Sequence, residues 1–129
     1  MSKFGAQQYK QTHITTANRG QILLMLYEAA IRNVQRAIDC IEKKDIPGKG
    51  MAIGKTHDII SELTSTLDHN VGGKIAQDLE RLYNFMTEQL LQANLENSGE
   101  KLAAVKKLLE NLLEGWRGAV EQVNKGMTK

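Results

Sequence analysis

The sequence predicts an all-α protein: an antiparallel up-down four-helix bundle with a flexible N-terminal arm. Three observations carry that prediction. Apolar residues recur at spacings of three and four along four separate segments, the mark of helices with one buried stripe. Aromatic residues make up only 5% of the 129 residues and proline occurs once, which suits helices filled by Leu, Ile, Val and Ala better than a sheet. The breaks between the periodic segments are short, so successive helices should run antiparallel.

Residues 1–17 show no 3.6-residue period and are rich in Gln and Thr. They are expected to form an arm that could dock through Phe4, Tyr9 and Ile14. The first helix is predicted from Asn18, whose side chain suits an N-cap, with Gln21 at the capping-box position. Leu23, Tyr27, Ala30, Val34, Ala37 and Ile41 then form its stripe. Ile22, Leu26, Ile31 and Ile38 widen it enough for two neighbours.

Asp45 is positioned to cap the second helix, with Pro47 in the first turn, where its missing N–H costs nothing. Ile53, Thr56, Ile60, Leu63 and Leu67 continue the spacing. Gly48, Gly50 and Gly54 are each expected to weaken this half by roughly 0.5–1 kcal/mol, so fraying or bending is predicted there. The run Asp68 to Gly73 is predicted as a loop.

The third helix is expected from Lys74 to Leu95. Its stripe is Ile75, Leu79, Leu82, Met86, Leu90 and Ala93, with Tyr83, Leu91 and Leu95 beside it. Asn97 and Glu100 are predicted to cap the fourth helix. There Leu102, Val105, Leu109, Leu112, Trp116, Ala119 and Val123 read as a heptad seam, widened by Leu108, Leu113 and Val120. The bundle is thus predicted over 18–124, with a loose tail at 125–129.

Composition narrows function. A chain of this length holds one core, and 41% hydrophobic with 25% charged residues fits a packed domain. A net charge of +2 argues for no nucleic-acid or membrane partner. The one cysteine, Cys40, allows no internal disulfide and suits a reduced compartment. The first ten residues show no secretory signal, and the apolar run from Ile22 to Tyr27 falls far short of the ~20 residues that span a bilayer. The cytoplasm is the expected location.

Catalytic chemistry finds no support. No Glu is followed by His at the third position, as a bundle di-iron site needs. His13, His57 and His69 are isolated, and Cys-x-x-Cys and phosphate-cradling glycine loops are absent. Cys40 sits among Ile38, Asp39 and Ile41, a setting that would raise a thiol pKa. Carboxylates such as Glu110 and Glu114 stand beside lysines, as solvated helix faces do. The expectation is a non-enzyme without catalytic residues, metal or cofactor.

One stretch is more specific. Residues 72–97 contain Leu82, Tyr83 and Phe85 followed by Leu90, Ala93, Asn94 and Leu95. This resembles the third helix of the FliS family of flagellin export chaperones. Tyr9 and Thr15-Thr16-Ala17 in the arm, ILLMLYEAAI at 22–31, HDIISELTSTL at 57–67 and Trp116 continue the likeness in order, over about residues 7–121. The chain departs from the pattern at Asn18-Arg19, where the family has Ser-Pro, and at Ala29, where it has glycine.

The resemblance implies a cytosolic chaperone that binds the C-terminal region of flagellin, prevents early polymerisation and delivers it to the flagellar export gate. Other flagellar proteins and export-gate components are further implied partners, with the chain as a monomer or weak homodimer. It also implies that the arm covers the guest site, with Tyr9 and Ile14 as the plug. The guest groove is expected from Leu26, Tyr27 and Ala30 on the first helix and Tyr83, Leu91, Asn94 and Leu95 on the third. Polar-tipped Tyr27, Tyr83 and Asn94 are its strongest members, since such tips seldom enter a dry core without a partner. The alternatives are a self-associating bundle that acts as an adaptor for another secreted or assembling partner, and a metal-carrying bundle.

Overall fold

A computed structural model describes residues 16–128. Four helices follow one another: α1 (Thr16–Glu42), α2 (Ile46–Ser65), α3 (His69–Glu96) and α4 (Gly99–Thr128). No strand occurs among the described residues. The helices form a closed ring in which each touches the next and α4 returns to α1, leaving α1 diagonal to α3 and α2 diagonal to α4. This is the expected all-α bundle. Its four seams are unequal, because α1 packs closely on α2 and α4 while α3 lies more loosely against the same two neighbours. Tyr9 and Ile14 of the arm lie outside the described residues.

The core is one cluster built from all four stripes, centred on Tyr27, Val34, Ile60, Leu63, Met86, Leu90, Leu102 and Leu109. Each such large side chain contributes roughly 1.5–3 kcal/mol by leaving water, far more than intrinsic helix propensity supplies. Ala30, Ala37, Ala52 and Ala93 are buried too, and their small side chains let the helices approach.

Several boundaries differ from the sequence reading. Helix α1 already runs through Asn18, so Asn18 is an interior residue and not the cap. Helix α2 is capped as expected: the Asp45 side chain accepts from Gly48 N at 3.0 Å, and Pro47 sits in the first turn. It is one continuous helix through the glycines, where fraying or bending was expected. Gly48 has a packing reason, since a Cβ there would come within 2.9 Å of Cys40 Sγ. The predicted loop 68–73 is mostly a helical turn, because Asp68 caps it by accepting from Asn70 N and Val71 N. Only Gly73 breaks the helix, at φ 52 and ψ −123, a conformation open to glycine.

At the α3–α4 corner the expected capping pair is replaced. Asn97 is in the left-handed region and closes α3, while the Ser98 hydroxyl caps α4 by accepting from Lys101 N at 3.1 Å. On α4 the buried positions run Leu102, Val105, Leu109, Leu113 and Val120, with Leu112 and Trp116 half-buried and Ala119 and Val123 outside. A straight helix turns every 3.6 residues, so a strict seven-residue seam drifts off the core, and Leu113 and Val120 take over. The helix also continues to Thr128, through the stretch predicted as a loose tail.

Two devices fix the corners. Lys49 is only 4% exposed, and its ammonium donates to Asn94 O at 2.8 Å and to Asn97 Oδ1. A cation is thereby held where α3 ends in unpaired carbonyls and the negative end of its dipole. At the α1–α2 corner Asp45 N donates to Cys40 O at 2.8 Å and Lys44 N to Ile41 O at 3.1 Å, with Lys44 left-handed at φ 60. That closure suits glycine; a side chain there costs about 1–2 kcal/mol. Because glycine also loosens the unfolded chain, Lys44→Gly is expected to stabilise by a net ~0.5–1 kcal/mol. Urea unfolding should show a higher midpoint at unchanged slope; a lower midpoint would contradict this assignment of strain.

Candidate functional site

The described candidate residues divide between the interior and two surfaces. Tyr27 and Tyr83 are 0% and 2% exposed, and their hydroxyls hydrogen-bond to each other across the diagonal between α1 and α3. Each phenol thus supplies the partner that the other needs, which is why both polar tips can enter the core. Ala30 is fully buried beside them. These three residues are corrected from groove to core. No groove exists between α1 and α3, because the two helices face each other only through the bundle centre.

Burial is the main cause that raises both tyrosine pKa values. The shared hydrogen bond partly offsets the rise for Tyr27 and adds to it for Tyr83, making Tyr83 the stronger proton holder. The half-buried Trp116 side chain approaches the Tyr27 oxygen and further favours its charged form. It stops short of hydrogen-bond geometry, and the indole Nε1 is buried without a partner.

The other expected groove residues reach solvent. Leu91 and Leu95 are 60% and 75% exposed on α3, and Asn94 between them is half-buried. They flank the residue whose carbonyl takes the Lys49 ammonium from α2, so they lie on the α2 side of α3. Along the facing side of α2, Ile46 is exposed, and Gly50 and Gly54 have open space where a Cβ would stand. On the opposite flank Phe85 shares the helical lane of Gln92, whose Oε1 accepts from Lys101 Nζ of α4 at 2.6 Å. Phe85 and Ile75 are exposed as well. Sequence reasoning assigned Ile75 to the core stripe, but Ala76 and Tyr83 are buried in place of Ile75 and Leu82. Ile75 is therefore exposed and Leu82 half-buried.

Leu26 opens elsewhere. It lines a cleft of about 580 Å³ between the first half of α1 and the end of α2, together with Leu23, Ile22 and Gly20 and with Arg19, Glu62 and Thr66 at the polar edges. This cleft lies beside the point where the chain enters α1. Leu23 and Leu26 give it an apolar floor, and Arg19 with Glu62 gives it a mixed rim. Among the described residues, no three His, Cys, Asp or Glu side chains come together as a metal site, and no helix is long and apolar enough to cross a membrane.

Comparison with known proteins bears on all of this. The family described as flagellar protein FliS matches residues 1–123. The flagellar secretion chaperone FliS of Salmonella typhimurium is 36% identical over 113 residues, covering 87% of this chain and 84% of that protein. The chaperone FliSB of Pseudomonas aeruginosa is 34% identical over 116 residues, covering 87% and 92%. FliS of Bacillus subtilis is 30% identical over 117 residues, covering 91% and 86%. A crystal structure described as a flagellar chaperone from bacteria superposes with a TM-score of 0.77 at 21% identity, over 95% of this chain and 99% of that one, and so shares the fold.

The tyrosine pair generates a test. Tyr83→Phe leaves the Tyr27 hydroxyl buried and alone, and should destabilise by ~1–3 kcal/mol. The double variant Tyr27→Phe/Tyr83→Phe should recover most of that loss, since neither orphan remains. Both phenols titrate higher in the folded state, so their contribution is complete below the ordinary value near 10. It is lost as pH rises above that value, because the unfolded chain ionises first, at up to ~1.4 kcal/mol per pH unit for each tyrosine. Urea unfolding between pH 8 and 11 should show a steeper fall for the wild type than for the double-Phe variant; equal slopes would contradict the pairing.

Proposed function

The chain belongs to the FliS family of flagellar proteins, and from that membership we propose that it binds the C-terminal segment of flagellin in the cytoplasm, keeps it from polymerising and delivers it to the flagellar export apparatus. The family is one of secretion chaperones and not an enzyme class. The observation that carries the finer reading is the set of apolar side chains that α3 exposes on its two flanks. Ile75, Phe85, Leu91 and Leu95 are exposed on a bundle whose core is complete without them. An unassembled amphipathic segment carries a matching apolar face, and covering both removes the surface through which guests would join one another. On the α2 side, Gly50 and Gly54 leave room for a guest backbone to come close.

We place the guest contacts on Leu91, Asn94 and Leu95, with Leu26 in the separate cleft at the start of α1. The arm residues Tyr9 and Ile14 are proposed to compete for that cleft. Tyr9 lies seven residues before Thr16, a reach of up to ~23 Å for extended chain, whereas Leu26 lies ten residues into α1, about 15 Å along its axis. The arm is thus long enough to fold back over Leu23 and Leu26. Occupation by the arm would keep this apolar floor covered until a guest displaces it. Further flagellar proteins and export-gate components remain partners under the same reading, with the chain acting as a monomer or weak homodimer.

Calorimetric titration with a peptide of about 40 residues from the flagellin C-terminus should show one-to-one binding and a negative heat-capacity change. Leu91→Glu/Leu95→Glu should weaken it at least tenfold, about 1.4 kcal/mol. Removal of residues 1–15 should tighten it. Absence of binding by both full-length and shortened chains would refute the flagellin reading, while equal affinities would remove the plug alone.

A further inference from the structure

Lys49 is a buried cation without a counter-charge. It stands in the first turn of α2 and is only 4% exposed. Among the described residues no carboxylate comes within ion-pair distance of its ammonium. Its donors go instead to Asn94 O, at 2.8 Å, and to Asn97 Oδ1. Two costs attend this placement. Burial strips water from the charge, and the first turn of a helix is the end that disfavours a cation. The C-terminal end of α3 offsets part of both. A methionine would fill similar space with neither cost, and replacing a buried charge by an apolar side chain is often neutral or stabilising. Stability alone therefore does not account for a lysine here.

What the lysine does that an apolar residue cannot is fix a distance. Among the described residues its two bonds are the only side-chain hydrogen bonds that join α2 to α3, and they cross a seam where these helices pack loosely. In the last turn of α3, Ala93 O already takes Asn97 N and Ser98 N, and the next carbonyl, Asn94 O, takes the ammonium. Asn97 is held left-handed at φ 55 as the cap of α3. The ammonium thus grips both the last turn and the cap. Leu91 and Leu95, exposed on α3, flank Asn94, and Gly50 follows Lys49 directly with open space where a Cβ would stand. The clamp therefore lies between the exposed leucines of α3 and the open glycine side of α2.

We propose that Lys49 is a positioning residue for the guest site: by clamping Asn94 and Asn97 it sets the gap between Leu91 and Leu95 of α3 and the Gly50 and Gly54 side of α2, and the guest binds tightly only at that gap. The inference rests on the reading of Leu91 and Leu95 as guest contacts. Lys49 itself stays covered and acts through α3, without touching the guest.

The test uses the full chain. Lys49→Met keeps an unbranched apolar stem and removes the charge. Its urea unfolding midpoint should match or exceed that of the wild type, while the flagellin C-terminal peptide should bind it at least roughly fivefold more weakly. A residue with a structural role alone would move the midpoint and leave the affinity. Asn97→Gly keeps the left-handed cap and removes the side-chain acceptor. It should weaken binding too, and the double variant should bind no worse than Lys49→Met, because both changes cut one clamp. Nitroxide labels at Lys55→Cys and Leu95→Cys, in a Cys40→Ser background, read the gap with no guest present. Their distance distribution should shift or broaden in Lys49→Met and in Asn97→Gly. The inference is overturned if that distribution is unchanged, if Lys49→Met binds the peptide as the wild type does, or if the effects of the two variants on binding add in full. Failure of the wild type itself to bind sinks the flagellin reading and the guest part of this inference with it, while the label distances still decide whether Lys49 sets the gap.

Discussion

The hydroxyl pair of Tyr27 and Tyr83 is the constraint around which the bundle is arranged. Two phenols of this size cannot be buried singly without leaving a polar group in an apolar medium. Joined tip to tip, they satisfy each other and span the diagonal that no backbone contact bridges. The pair therefore fixes the distance and axial register of α3 against α1, while the stripes on either side supply most of the energy. Apolar packing tolerates sliding and repacking; a hydrogen bond at the centre of the core does not. The outward turn of Phe85 follows directly, because a helix that points Tyr83 and Met86 inward must carry Phe85 toward solvent.

The unequal seams follow from the same arrangement. Helix α1 buries Ala30, Val34 and Ala37 beside Tyr27 and packs closely on α2 and α4. Helix α3 instead brings Tyr83, Met86 and Leu90 to the centre and stands further from its neighbours. Its C-terminal end is held by two polar clamps: Lys49 from α2 onto Asn94 and Asn97, and Lys101 from α4 onto Gln92 and Glu96. Both ammonium groups reach the same end of α3, near its C-terminus. The opposite end begins at the Gly73 break and the Asp68-capped turn, with His69 paired to Glu80 at 3.4 Å across an exposed surface. Exposed pairs of that kind contribute little, about 0–1 kcal/mol, so this end is the less firmly tied.

The four helices and most of the core were legible in the sequence because a 3.6-residue apolar period reports burial directly. The second helix start was legible for a different reason: Asp45 and Pro47 are local signals whose chemistry does not depend on the rest of the fold. Where the reading failed, the missing information was tertiary. Asn18 is a competent cap, but the chain upstream is already helical, and Asp68-His69-Asn70 looks like a loop until Asp68 is seen to cap a turn. Tyr27 and Tyr83 carry the clearest lesson. Each alone argues for a polar edge, and only their juxtaposition, 56 positions apart, makes them core. Leu91 and Leu95, read from spacing as lying beside the α3 stripe, do reach solvent.

Under the proposed function the chain has to present apolar surface to a guest without joining to itself, and its side chains are distributed in a way that fits both demands. The exposed apolar residues of α3 are divided between its two flanks and do not form one broad face: Leu91 and Leu95 toward α2, Phe85 toward α4. Charged and amide residues stand between them, among them Glu88 and Gln92 on the outward side of the helix. A second copy would have to match both flanks across that polar ridge with a rigid, identical surface, whereas an extended guest can bend around it. The guest's ordering entropy then limits affinity for the area covered, which suits the release that the proposed function requires. Division of the apolar surface by a polar ridge thus favours a flexible partner over a copy of the chain itself, and it arises from the same rotation of α3 that brings Tyr83 to Tyr27.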